Sequence, residues 1–273
     1  MIFRFLLHSF IILLLTAVTQ IGGVAYMGAI GLTRFIPRIA KCSIIYRAVL
    51  FLGLYAGLWS VALFVAPQFG RVALPCHSVD TSQIMVQSPL YCAMNRQYVS
   101  PELFETGNAL AAYMNTEYPD TQTMALDANF PFFDGFPLLP HLSHDDGRKL
   151  DIAFYYRTEN GKYALGKTKS PIGYWAFEQP RAGSFQPCAR HKDILSLRWS
   201  MEWFQLFLKD YRLDETRASA ALSWLSTHGK KHGVSKVLIE PHLVQRLGYS
   251  GKNIRFQGCQ AARHDDHIHL QIN

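Results

Sequence analysis

The sequence predicts an α+β domain carried on a two-helix transmembrane hairpin. Three observations lead there: an N-terminal stretch almost without charge, a balanced remainder, and a mixed order of helix and strand signals in that remainder. Of the 273 residues, the first 70 contain no Asp or Glu and five basic residues, Arg4, Arg34, Arg38, Lys41 and Arg47. Residues 71–273 hold the other 22 Lys and Arg against all 20 Asp and Glu, a net charge of +2. The formal +7 is therefore mostly N-terminal. A nearly balanced domain offers no strong phosphate-neutralising face, which argues against nucleic acid as a partner. Ample apolar and aromatic content excludes disorder, and no period of a collagen or coiled coil runs through the chain.

Residues 5–33 and 48–70 carry no charged side chain. As a helix the second run reaches about 34 Å, enough for the hydrocarbon core of a bilayer. The first is strongly apolar from Phe5 to Val18 and weakens at Gln20, Gly22, Gly23, Gly28 and Gly31, yet is long enough to span. Arg34, Arg38, Lys41 and Arg47 fall in the connection, so the positive-inside bias puts the connection in the cytoplasm and sends both termini outward. A cleavable signal peptide fits less well, because the apolar run is long for an h-region and its basic n-region is almost absent. The expected organisation is a two-span anchor over 1–70, a linker or extension over 71–95, and an extracytoplasmic domain over 96–273.

Cysteine usage agrees with an oxidising compartment. Cys42 lies in the basic connection, and the other four, Cys76, Cys92, Cys188 and Cys259, all follow residue 70. Four cysteines allow three pairings; Cys76–Cys92 with Cys188–Cys259 is the expected one. With no Cys-x-x-Cys, a thiolate zinc knuckle or thioredoxin-like centre is disfavoured.

In order, Ser100-Pro101-Glu102 reads as a helix start, with a hydroxyl N-cap, proline at the first position and an acid in the first turn. Leu103, Leu110, Ala111 and Met114 give that helix an apolar stripe, which Gly107 weakens. Residues 121–130 read as a strand, followed by a turn-rich loop. Residues 149–157 (KLDIAFYYR) are aromatic and β-branched enough for a strand, and Asn160-Gly161 is a hairpin turn. Residues 166–190, rich in Pro and Gly, read as a long loop bordering a cleft. Residues 196–209 and 214–228 read as helices, the second capped by Asp214 and ended by Gly229. A short strand over 235–240 stops at Pro241. The Trp199-x-x-x-Trp203-Phe204-x-x-Phe207 run is at helical spacing and reads as core, with a cleft-lining Trp as the second reading.

The last residues carry the most chemistry. In His267-Ile268-His269-Leu270-Gln271-Ile272, the period of a strand puts Ile268, Leu270 and Ile272 on one face and both imidazoles on the other. A second cluster, His144-Asp145-Asp146-Gly147-Arg148-Lys149-Leu150-Asp151, places a histidine and a carboxylate either side of a glycine that permits a sharp turn. Two histidines and one carboxylate, with a fourth position left to water, are a familiar ligand set for a hydrolytic zinc ion. His144, Asp151 and His269 supply that count. His267, offset on the same strand face, is then placed to act as general base or to stabilise an oxyanion. Either cluster alone reads equally well as a solvated turn or an edge strand; their combination favours metal.

The pattern Ser143-His144-x-x-Gly147-x-x-x-Asp151-Ile152, followed by His264-x-x-His267-x-His269, resembles the LAS group of zinc metallopeptidases. It is most similar to the penicillin-insensitive murein endopeptidases. The resemblance covers about residues 95–273, and Ala221–Leu243 is similar to the stretch between that family's two motifs. It implies an α+β core with a small antiparallel sheet and flanking helices. It also implies zinc on His144, Asp151 and His269, His267 as catalytic partner, and cleavage of peptide bonds in peptidoglycan cross-bridges. Matching positions add His141 and His264 as metal-site or supporting histidines. Arg148 is a candidate for gripping a substrate carboxylate. The alternative function is a membrane-tethered, metal-containing module that binds cell-wall fragments without cutting them.

Overall fold

The computed structural model describes residues 2–35, 44–191 and 198–273; Arg38, Lys41 and Cys42 of the basic connection lie outside them. Helix α1 spans Ile2–Thr19, α2 Gly22–Phe35 and α3 Ile44–Val65. Two helices, Ile2–Thr19 and Ile44–Phe69, are long and apolar enough to cross a membrane. Their large side chains, among them Phe3, Phe10, Leu13, Ile44, Leu52 and Phe64, are exposed, the inverse of a core helix.

The first apolar run is not one span. The chain reverses at Gln20, whose φ of 65° breaks the helix. His8 Nδ1 then lies 2.8 Å from Tyr26 Oη, whereas a straight helix would separate the two residues by about 27 Å. Gly22 and Gly23 allow the reversal, since a Cβ at Gly23 would lie 2.0 Å from Thr16 Oγ1. Tyr26 also meets Phe51 edge-on, so α2 packs between α1 and α3. The reversal is pinned to the domain by Gln20, whose side-chain amide donates to Phe132 O and accepts from Phe132 N. The N-terminus therefore lies at the far end of α1 from the domain, against the expectation that both termini share the domain's side. Halfway along α3, Tyr55 Oη donates to Ala93 O (2.5 Å) and Trp59 Nε1 to Cys92 O (2.7 Å), so the end of α3 runs beside the domain.

After a 3-10 turn over Ala66–Phe69 come β1 (Val72–Ala73), β2 (Met85–Val86), α4 (Pro89–Ala93), β3 (Tyr98–Val99) and α5 (Pro101–Glu117). Then follow β4 (Met124–Ala125), β5 (Lys149–Ala153), β6 (Tyr156–Arg157), β7 (Arg212–Leu213) and α6 (Glu215–Thr227). The chain closes with β8 (Val234–Leu238), α7 (Pro241–Leu247), β9 (Ile254–Arg255) and β10 (His267–Ile272). Six strands form one sheet in the order β2-β4-β5-β10-β8-β9. Its centre, β4-β5-β10-β8, is antiparallel as the resemblance implied, but both edges, β2 on β4 and β9 on β8, pair parallel.

Residues 71–95 are part of the domain rather than a linker. They supply an edge strand of this sheet, and Leu74, Ile84, Val86 and Tyr91 join its core. Leu150, Ile152, Ile268 and Leu270 share that core with Leu103, Leu110 and Met114 of α5 and Leu222 and Leu225 of α6. Ser100 Oγ caps α5 by accepting from Leu103 N. Gly107 weakens that helix for a packing reason: a Cβ there would press on Ile84 at 3.2 Å.

Both expected disulfides form, Cys76–Cys92 and Cys188–Cys259. Several elements are shorter than expected. Of 121–130 only β4 is strand, with an isolated bridge at Asn129. Residues 149–157 split into β5 and β6, which belong to different sheets. Helix α6 passes at its end into a 3-10 turn over His228–His232, and Gly233 (φ 82°), not Gly229, ends it. Within 198–209 there is a 3-10 turn over Glu202–Phe207, not an α-helix, and the aromatic run is surface rather than core, Trp203 being 62% and Phe207 57% exposed.

Candidate metal centre

The centre is built first by strand register. In the β5–β10 pair, His269 stands directly opposite Asp151 and His267 opposite Ala153. The backbone of Asp151 bonds the other way, donating to Asp127 O and accepting from Leu126 N. Asp151 and His269 are therefore a non-hydrogen-bonded cross-strand pair, the kind in which side chains approach most closely. Asp151 Oδ1 lies 2.8 Å from His269 Nδ1.

His144 arrives from a loop. Gly147, with φ 78°, makes the turn before β5 and passes so close to Arg71 that a Cβ would lie 2.6 Å from the guanidinium carbon. Both reasons for a glycine there hold at once. His144 Nδ1 is 2.8 Å from Ala128 O. A carbonyl only accepts, so Nδ1 carries a proton, and Nε2 is the atom that a neutral ring would offer a metal. That Nε2 sits 3.3 Å from Asp151 Oδ1 and 3.2 Å from His269 Nδ1. Zinc–ligand bonds of about 2.0–2.1 Å at tetrahedral angles require donor atoms about 3.3 Å apart, so these three fit a divalent cation. They are the one His/Cys/Asp/Glu group of that kind among the described residues, and all three are buried.

The electrostatics are those of a buried carboxylate ringed by imidazoles. Burial works against the Asp151 carboxylate, but the charges of His144 and His267 outweigh it and hold its pKa well below the usual value. Burial lowers His269 to about 4, keeping it neutral. His144 is raised: burial opposes, and Asp151 prevails. His267 reaches about 9, because Asp151 and Asp266 overcome its desolvation. Its Nδ1 is 2.5 Å from Asp266 Oδ1, which turns Nε2 toward Asp151 Oδ1 at 3.5 Å.

A supporting shell surrounds the three donors, and sequence reasoning missed most of it. Tyr174, from the long loop, donates to Asp151 Oδ2 (2.6 Å) and accepts from Asp127 N (3.1 Å). Burial first, then Asp151, raises its phenol well above 10, so it stays a donor. Asp127 is gripped by Arg96 through two contacts of 2.8 Å and takes His141 Nδ1 at 2.8 Å. His141 is 3.6 Å from Asp151 Oδ2. The His264 ring packs 5.1 Å from that of His267 and 5.6 Å from that of His269. Burial, then those two neighbours, depresses its pKa well below 6.5.

His141 and His264 thus stand at the centre, though outside the three-donor group. Arg148 does not. It is exposed, and its carbonyl accepts from Ile272 N, three residues along β10 from His269, or about 10 Å. A cavity of about 60 Å³ opens on the centre between His141, Tyr174, Trp175, Trp199, Arg263 and His267. Trp199 lines this cleft instead of filling the core, and loop 166–190 borders it as expected. No protein-family model matches the chain, and no curated protein matches it either.

Proposed function

We infer that the chain is a membrane-anchored zinc peptidase that hydrolyses amide bonds in the peptides of bacterial cell wall. The observation that carries the metal is the meeting of three donor atoms in a buried site: His144 Nε2 lies 3.3 Å from Asp151 Oδ1 and 3.2 Å from His269 Nδ1, the spacing found around a divalent cation. His144 Nε2, His269 Nδ1 and Asp151 Oδ1 would hold it. When bound, zinc supplies Lewis acidity, lowering the pKa of a water to about 7 and polarising a carbonyl.

The chain's own residues do the rest. His267 borders the cleft, and Asp266 on Nδ1 leaves Nε2 to take or give a proton at the substrate. Tyr174 holds Asp151 so that Oδ1 faces the two donor nitrogens. Trp175 and Trp199 narrow the cleft and limit water. Wall peptide as substrate rests on the resemblance of the two histidine motifs to the murein endopeptidases. Anchoring rests on two exposed apolar helices, and an extracytoplasmic domain on its two disulfides. With the chain reversing at Gln20, Arg4 lies at the end of α1 away from the domain, in keeping with the positive-inside bias.

The test is digestion of purified wall peptides by the full-length protein in detergent, read by mass spectrometry. The expected result is amide hydrolysis that a chelator stops, zinc restores and His267→Ala reduces at least a hundredfold with zinc retained. Unchanged peptides with zinc bound would leave a binding module in place of a peptidase.

A further inference from the structure

A second cavity, of about 380 Å³, lies beside the centre. Phe177 and Arg263 line both cavities. Its floor is Arg198, 7% exposed, with Nη2 donating to Glu240 Oε2 at 2.8 Å. Arg198 Nη1 is buried with no hydrogen-bond partner among the described residues. A guanidinium nitrogen left bare in a protein interior is costly, and one lining a cavity is aimed at whatever fills it. The other charges are already spent. Glu240 takes Arg198 and also the backbone N–H of His264. Asp265 takes two bonds from Arg263, whose guanidinium stacks on Phe177 at 3.9 Å. Two neutral pairs therefore leave one free donor edge, Arg198 Nη1, and one rim carboxylate, the exposed Glu202.

We propose that this cavity is a subsite for a zwitterionic amino-acid end, with its carboxylate on Arg198 Nη1 and its ammonium at Glu202. Arginine favours carboxylate through charge-assisted, directional hydrogen bonds. A bare anion would meet Glu202, whereas a ligand that carries an ammonium beside its carboxylate offers a partner to each group. Glu240 N donates to His264 O and Glu240 Oε1 accepts from His264 N, so the subsite is tied to the wall of the centre by two hydrogen bonds. This deepens the peptidase reading, on which it rests for the nature of the chain bearing that end: a peptide whose side chain or terminus ends in an unblocked amino-acid group.

The experiment is calorimetric titration of the metal-free, full-length protein with three dipeptides. Alanyl-2,6-diaminoheptanedioic acid ends its side chain in the zwitterion, alanyl-lysine lacks the distal carboxylate, and alanyl-2-aminoheptanedioic acid lacks the distal ammonium. The diamino diacid should bind about tenfold or more tightly than the lysine peptide, the scale of a hydrogen bond to a charged group. It should beat the aminoheptanedioic peptide by less. Arg198→Gln should erase the first difference and Glu202→Gln the second. If Arg198→Gln does not fold, the three probes on the native chain and Glu202→Gln, on the exposed rim, still decide. Equal binding of all three, or discrimination unchanged in both variants, would overturn the subsite. Because binding is read without metal, a missing zinc site leaves this result standing, and a failed subsite leaves the zinc result standing.

Discussion

Strand and loop contribute to the centre in different ways. On β5 and β10, Asp151, His267 and His269 are placed by backbone register, which one cross-strand pairing fixes for all three. His144, His141 and Tyr174 come from loops, and each is placed by a side-chain hydrogen bond: to Ala128 O, to Asp127 and to Asp151. Register is a collective property, so a strand-borne group survives loss of any one neighbour. A loop-borne group depends on its particular partner. The strand half should fail only when a donor is removed, and the loop half when a supporting bond is removed.

The largest effect belongs to the donors. His269→Ala and Asp151→Ala should reduce retained zinc from one per chain to near none while the sheet stays folded, as read by metal analysis alongside circular dichroism. Unfolding of both variants would show that the pair holds the strands together and break the comparison. Next is the turn that delivers His144. Gly147→Val puts a β-branched residue at φ 78° and a Cβ against Arg71, which should cost about 2 kcal/mol or more in denaturant unfolding.

A smaller effect sharpens the loop half. Tyr174→Phe removes the bond to Asp151 Oδ2 and should lower zinc affinity by about tenfold to a hundredfold, the range for outer partners of metal ligands. An unchanged affinity in competition with a chromophoric chelator would assign the orientation of Asp151 to register alone. The smallest effect is on pH dependence. His242 donates to Glu178 O, and burial lowers its pKa below 6.5. The unfolded chain therefore binds the proton more readily, so this stability is present above pH 6.5 and lost as pH falls below it. His242→Gln should flatten that part of the unfolding profile.

How much was legible in the sequence follows the same division. His-x-His on a strand and the cap at Ser100 have local periods or local grammar, and both appear as read. The glycine between His144 and Asp151 was readable because a turn must bring them together. Asp127, Arg96 and Tyr174 left no comparable signal. They reach the centre from 55 and 24 residues before Asp151 and 23 after it, with no shared period, and a buried carboxylate in TMALDANF looks like any strand end. The reversal at Gln20 left a signal, the drop in apolarity at Gln20, Gly22 and Gly23, but hydropathy records that a segment weakens and not that it turns. The aromatic run from Trp199 failed for a related reason: helical spacing suggests a buried stripe only if a helix forms, and here a 3-10 turn leaves the rings on the surface.

The most direct measurement is X-ray absorption on the purified full-length protein after zinc loading and desalting. One zinc per chain is predicted, with only nitrogen and oxygen neighbours near 2.0–2.1 Å, two of them imidazoles, and near-complete loss of the metal in His144→Ala. A protein that retains no zinc, or one whose zinc is bound by sulfur, would contradict the account.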